Sequence, residues 1–308
     1  MKYRKLGKTG LRVSVIGVGT WQFGGEWGRN FTKAEAKQIL FRARELGINL
    51  IDTAECYGDH LSEQLVGHAI RADRDKWIIA TKFGHRFTAP FERDQLWSPT
   101  DVRRQLDGSL RALETEIIDL YQFHSGTSQV FDQDELWTML AKQVQAGKIR
   151  YLGISISGGA KTAYQAQRAS AVGASTIQVV YNRLDRLPED SIFPACLEQN
   201  LGVLARVPLA SGFLSGKYLP GAKFITPTDV RSRRDPGEIQ QRLEEVARIR
   251  RTEVPAGTPM APWALAWCLQ HPAVTCVIPG CKSVGQVESN ASAADLDMVR
   301  SDHPQAVE

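Results

Sequence analysis

The chain has 308 residues, 43% of them hydrophobic and 23% charged, with 38 Lys and Arg against 34 Asp and Glu. These proportions sit near the globular average and exclude a disordered, collagenous or coiled-coil polymer; a net charge of +4 is too slight for a nucleic-acid footprint. No run approaches the ~18 consecutive apolar residues of a membrane span, and the apolar stretch LRVSVIGVG near the N-terminus is too broken for an export signal. The expectation is a cytoplasmic protein with neither membrane nor nucleic-acid partners. Its five cysteines, Cys56, Cys196, Cys268, Cys276 and Cys281, are odd in number and lack CxxC spacing, so they read as reduced thiols and not as a disulfide framework or a metal cluster.

In chain order, MKYRKLGKTGLRVS holds two short extended pieces around Gly7 and Gly10 and predicts a hairpin. Eight strand-like runs follow at 15–20, 50–54, 77–83, 118–124, 149–155, 176–182, 203–208 and 276–280. Their starts are spaced by about 37 residues on average, the length of a strand-plus-helix unit, although the step from 203 to 276 is long. Apolar runs of this kind suit a parallel sheet covered on both faces. Helical segments are expected over 33–46, 61–71, 134–146, 160–172 and 191–200. Another begins at Ser98-Pro99-Thr100-Asp101, where Val102, Leu106, Leu110 and Leu113 form an apolar stripe. Length alone permits two domains or one large barrel. Eight βα units without a composition break, and no GxGxxG after the first strand, favour α/β architecture as a single (β/α)8 TIM barrel over residues 1–308, its bottom closed by the N-terminal hairpin. The 218–237 segment reads as a long loop whose Arg231, Arg233 and Arg234 form a solvated face.

Barrel chemistry gathers at the C-terminal ends of the strands. There the second strand brings Asp52, with Tyr57 in the loop beyond it, the third brings Lys82 and the fourth His124. A phenol is a reluctant acid near neutrality, and an adjacent ammonium lowers its pKa by stabilising the phenolate. A carboxylate keeps such an ammonium charged and oriented, and an imidazole can orient a carbonyl oxygen. The set predicts proton delivery.

The run DTAECYGDHLSEQLVG resembles the aldo-keto reductase signature, and the resemblance continues in TKFG, IDLYQFH, GKIRYLGIS, IQVVYN, RVPLASGFLSGKY and IPGCKSVGQVESNASA, in order and across about residues 3–297. It implies NAD(P)H-dependent reduction of an aldehyde or ketone to an alcohol, or the reverse dehydrogenation of an alcohol or sugar, without metal. By that likeness Tyr57 is the general acid, Lys82 its partner, Asp52 the anchor of Lys82, and His124 the orienter of a small-molecule carbonyl substrate. Trp21, Ser155, Gln178 and Arg206 match positions around the nicotinamide. Pro208, Leu209, Gly212 and Lys217 match the turn against the pyrophosphate, and Gly280, Lys282, Ser283, Gln286 and Asn290 match the adenosine end. Three positions depart from the family pattern: Ile156 replaces an asparagine, Arg206 an aromatic ring that stacks on the nicotinamide, and Ser289 a glutamate. Lys282 and Ser283, before a predicted helix start, suit a ribose 2′-phosphate and hence NADPH rather than NADH.

Trp21, Phe23, Trp27, His85, Phe91 and Trp97 are expected to wall the substrate pocket, and Cys56 to be a buried hydrophobe without redox function. The same scaffold and residues also resemble the nucleotide-sensing β subunits of potassium channels, which sets a regulatory reading beside the enzymatic one. Sequence leaves the oligomeric state undetermined.

Overall fold

The computed structural model describes residues 1–157 and 163–307. Strands β1 (Tyr3–Lys5) and β2 (Arg12–Ser14) pair antiparallel as the expected hairpin. β3 (Val18–Gly19), β4 (Leu50–Asp52) and β5 (Ile78–Phe83) run parallel, and β6 (His85–Ala89) and β7 (Glu92–Gln95) form a separate antiparallel pair. β8 (Ile118–His124), β9 (Ile149–Ser155), β10 (Ala174–Val180), β11 (Gly202–Arg206) and β12 (Cys276–Ile278) complete an eight-stranded parallel sheet, and β13 (Ala306–Val307) pairs with β1. Bridges from Ile16 to Val277 and from Gly19 to Gly280 join β12 to the region of β3 and bring the sheet round into a nearly closed barrel. The fold is the expected α/β barrel. β8 and β9 coincide with the expected runs, whereas β4 and β12 are shorter because the ends of those runs turn off into the mouth loops.

The helices between the strands are α1 (Lys33–Glu45), α2 (Leu61–Ile70), α3 (Pro99–Ala112), α4 (Ser128–Phe131), α5 (Asp134–Gln145), α6 (Ala163–Gln167), α7 (Pro188–Ser191), α8 (Phe193–Glu198), α9 (Pro236–Thr252), α10 (Met260–Leu269) and α11 (Val284–Ala291). Several begin where local chemistry favours it. Ser98 caps α3 by accepting from the Asp101 amide, with Pro99 in the first turn, and Thr32 and Glu35 form a reciprocal capping box on α1. The first positions of the helix expected over 160–172 lie outside the described residues. The long step before the last strand holds α9 and α10, which the sequence reading left unassigned.

The arginines of the 218–237 loop are not a uniform solvated face. Arg231 is 7% exposed and clamps Asp229, because a buried guanidinium requires a carboxylate. All five cysteines are free and buried, and among the described residues no helix is long and apolar enough to cross a membrane.

The hairpin closes the N-terminal end of the barrel. Leu6 and Val13 are fully buried with Leu50, Leu120 and Leu204, which point in from the strands. A Cβ on Gly7 would stand 2.2 Å from the Gly202 amide nitrogen, and Gly7 has a φ of +50°, so the turn accepts only glycine. Arg4, 1% exposed, donates to the carbonyls of Val274 and Leu269 and ties the hairpin to the last βα unit. With this end plugged, the other mouth is left for a ligand. Leu6→Ala should destabilise the protein by about 2–5 kcal/mol, the range for a buried leucine whose cavity cannot collapse; urea unfolding measures it, and a loss below about 1 kcal/mol would mean that the plug is not part of the core.

Candidate active site

Asp52 ends β4, Lys82 sits near the end of β5 and His124 ends β8, all on the C-terminal side of the barrel. Tyr57 reaches the same mouth from the loop between β4 and α2. That loop lies against the turn after β3: a Cβ on Gly24 would meet the Tyr57 carbonyl carbon at 2.6 Å, and one on Gly58, with φ +71°, would meet the Gly24 oxygen at 2.7 Å. The glycines of the two motifs therefore allow the backbone approach that sets the phenol in place.

The Lys82 ammonium is fully buried and uses three donors: to Asp52 Oδ2 at 2.7 Å, the Thr53 carbonyl at 2.7 Å and the Tyr57 hydroxyl at 3.2 Å. Burial pulls its pKa down, but Asp52 and then Tyr57 raise it further, and the net direction is upward. Asp52 is held on its other oxygen by Gln178 Nε2 at 2.6 Å and Gln122 Nε2 at 3.2 Å. Since the phenol oxygen accepts from Lys82, its own proton is free to be donated.

The pKa of Tyr57 differs from expectation. Burial raises it above the ordinary phenol value and outweighs the charge of Lys82, which acts in the opposite direction. The expected lowering is thus present as one contribution but does not set the net direction, because the enclosed site removes more hydration from a phenolate than one ammonium replaces. His124 is pushed well below its ordinary value, first by burial and then by Lys82, and is a neutral imidazole. Its Nδ1 lies 3.8 Å from Cys56 Sγ. Burial raises the Cys56 thiol to about 11, which keeps it protonated and unreactive.

These groups open into a cavity of about 540 Å³ that runs from Tyr57 and His124 past Arg206 and Leu209 to Lys282 and Asn290. Of the residues expected at the cofactor, Trp21, Gln178, Arg206, Pro208, Leu209, Gly212, Lys217, Gly280, Lys282, Gln286 and Asn290 line it. Ser155 and Ser283 do not: the first is fully buried and donates to Gln178 Oε1 at 3.2 Å, and the second caps α11. The Lys282 ammonium is folded onto the Trp27 carbonyl at 2.6 Å, and its pKa is lowered by burial and by Arg231.

Of the expected aromatic wall, Trp21, Trp27 and His85 face the cavity, whereas Phe23, Phe91 and Trp97 are not on its lining. Phe23 packs on Phe31 with ring centroids 5.0 Å apart, and Trp97 on Phe123 at 4.6 Å. Both are core residues, 0% and 8% exposed. Phe91 stands in the β6–β7 turn, where its amide donates to Glu26 at 2.6 Å.

Sequence reasoning did not single out Glu26 and Arg93. Glu26 is 2% exposed and accepts from Arg93 at 2.6 Å, Trp21 Nε1 at 2.7 Å and the Phe91 amide, so it fastens the β6–β7 hairpin to the first mouth loop. Neither residue lies in a recognisable spacing, since the pairing crosses 67 positions.

Arg206 Nε and Gln22 Oε1 belong to cavity-lining residues, are buried and have no partner among the described residues. Together with Lys217, Arg231 and Lys282 at the far end they fit a long ligand carrying amide and phosphate groups. At the turn after β11, Val207, Ala210 and Ser211 all have positive φ, a conformation uncommon for residues with a Cβ.

A parallel barrel whose open mouth joins a phenol, an ammonium and a carboxylate beside a long, partly cationic cleft defines a cofactor-using oxidoreductase scaffold. The Aldo/keto reductase family matches residues 15–308. The chain is 33% identical over 299 residues to the uncharacterized oxidoreductase YqkF of Bacillus subtilis, covering 96% of this chain and 92% of that protein. Among solved structures it is similar to aldo-keto reductase AKR11C1 from Bacillus halodurans in its holo form, with TM-score 0.80, 33% identity, and coverage of 96% of this chain and 91% of that one. It is also similar to the glycerol dehydrogenase AKR11B4 from Gluconobacter oxydans, with TM-score 0.80, 27% identity, and coverage of 100% and 98%. The chain belongs to the aldo/keto reductase family. It is an NAD(P)H-dependent oxidoreductase of the kind that reduces carbonyl groups.

Replacing Asp52 by Asn leaves the buried Lys82 ammonium without its carboxylate. Stability should fall by about 3–5 kcal/mol, the cost of breaking a buried pair by removing one partner. Urea titration at neutral pH measures this, and an unchanged midpoint would mean that the pair carries no structural load.

Proposed function

We propose that residues 1–308 act as one barrel domain that reduces a small aldehyde or ketone with NADPH, using Tyr57 as the general acid. The observation that carries this reading is the hydrogen bond from Lys82 to the Tyr57 hydroxyl, with Asp52 behind Lys82, at the head of the cleft. When bound, the reduced nicotinamide supplies a hydride for the carbonyl carbon. The protein's own part is the proton. A substrate carbonyl oxygen is oriented by neutral His124 and receives the Tyr57 proton; the phenolate left behind is stabilised by Lys82, whose charge Asp52 maintains. A net upward pKa keeps Tyr57 protonated before transfer, and the ammonium acts at the moment the phenolate forms. Trp21, stacked 6.1 Å from Tyr57 at an interplanar angle of 27°, and Trp27, edge-on to Trp21 at 5.2 Å, wall the pocket beside the phenol with apolar surface.

The far end carries the preference for NADPH. Lys282, Lys217 and Arg231 line the cleft there, and the charges of all but Asp229-paired Arg231 are without a carboxylate partner among the described residues. A ribose 2′-phosphate adds negative charge that such a site can use. The likeness to a glycerol dehydrogenase supports a reaction that also runs from alcohol to carbonyl. A cytoplasmic location fits a reaction that draws on the NADPH pool.

Tyr57→Phe should lower carbonyl reduction by about a hundredfold to ten-thousandfold, the range of a lost general acid. NADPH binding, followed by quenching of tryptophan fluorescence, should stay near normal. Turnover retained in this variant would remove Tyr57 from the mechanism. Lys282→Ala should weaken NADPH by about tenfold or more, as for a lost charge-assisted hydrogen bond, while NADH changes little. Equal losses for both nucleotides would reject a 2′-phosphate contact.

A further inference from the structure

The reacting end of the cleft is almost neutral by pairs. Lys82 is cancelled by Asp52 at 2.7 Å and Arg93 by Glu26 at 2.6 Å. His85 and His124 are both held below their ordinary pKa by burial and carry no charge. Arg206 breaks the pattern. It lies at the end of β11, in register with Val180 and Ile278, and lines the cavity. Its Nη2 is pinned on the Ile156 carbonyl at 3.1 Å, its Nε is buried with no partner, and among the described residues no carboxylate stands within ion-pair distance of it. Burial lowers the pKa of this guanidinium, against the opposing pull of a Tyr57 phenolate and of Asp52, and Arg206 shares the cavity lining with Tyr57, Asp52 and His124.

A hydride donor must stand beside the carbon whose oxygen Tyr57 protonates, within the cavity that Tyr57, His124 and Arg206 line together. The dihydronicotinamide ring is neutral. On giving up its hydride it becomes a pyridinium cation, and a fixed cation nearby, in a site sheltered from water, then repels it. The planar guanidinium tolerates a neutral ring face, against which it can stack. We propose that Arg206 makes this cleft discriminate between the redox states of its nucleotide, holding the reduced form more tightly than the oxidised one. The inference rests on the reading of the cleft as a nicotinamide nucleotide site. It has a kinetic corollary: oxidised nucleotide is expelled readily after each reduction, and the reverse, alcohol-oxidising direction is handicapped at the binding step.

The test measures dissociation constants of NADPH and NADP⁺ for the purified chain by isothermal titration calorimetry, without substrate. Wild type should hold NADPH about tenfold or more tighter than NADP⁺. Arg206→Met, similar in length and uncharged, should bring that ratio to within about threefold of one, mainly by tightening NADP⁺, while Arg206→Lys should keep most of it. Affinity for 2′,5′-ADP, which lacks the nicotinamide, should be the same in all three proteins. A ratio unchanged in Arg206→Met, or an equal shift in 2′,5′-ADP binding, would overturn the assignment. Should Arg206→Met not fold by circular dichroism, Arg206→Gln replaces it under the same criteria. Wild-type protein that binds neither nucleotide would defeat the underlying functional reading, and this inference with it; binding of both with a ratio insensitive to Arg206 would defeat this inference alone.

Discussion

One fully buried ammonium organises the mouth of this barrel. Lys82 has no water to hydrate it, so each of its three donors must find an oxygen, and those oxygens come from β4 and from the loop that carries Tyr57. Satisfying one side chain thereby fixes the separation of two others. Asp52, in turn, is fixed by amides from β8 and β10, so four strands contribute to a single network around a charge. Such a network holds its geometry before any ligand arrives, which is the condition for an acid that works without rearrangement.

The cleft leading away from that network is electrically graded. Charges near the phenol are matched in pairs, apart from Arg206, whereas the distant end gathers Lys217, Lys282 and Arg231 with, among the described residues, only Asp229 to oppose them. A ligand bearing phosphates at one end and a flat, weakly polar head at the other would be aligned by this gradient alone, before close contacts form. In the proposed function, alignment and chemistry are therefore supplied by different parts of the chain: the loop after β4, held by Lys82 and Asp52 at the strand ends, provides the acid, and the loops after β11 and β12 provide the grip.

The barrel was legible in the sequence because it is written in local patterns. Apolar runs of strand length alternate with capped, striped segments such as Ser98 to Leu113, and each is readable within a dozen residues. Asp52, Tyr57, Lys82 and His124 stood out because polar side chains at strand ends are conspicuous against apolar neighbours. What sequence did not disclose depends on contacts between distant segments. Whether an aromatic residue such as Trp97 faces a ligand or the core is decided by a close fit to Gly84, where an added Cβ would lie 2.0 Å from its ring. The Glu26–Arg93 pair, the burial of Arg231 and the net direction of the Tyr57 pKa likewise follow from enclosure in three dimensions, and no spacing rule records them.

The turn after β11 departs from ordinary backbone preferences, with Val207 at φ +54°, Ala210 at +47° and Ser211 at +59°. A β-branched residue in that region costs on the order of 1–3 kcal/mol, and the surrounding structure must hold it there. Glycine at the same places would relax the chain but would also let it wander. Residues with a Cβ have fewer conformations open to them than glycine, so this stretch of the cleft, where the middle of a long ligand would lie, is stiffer than a glycine turn would be, at the cost of a less comfortable backbone.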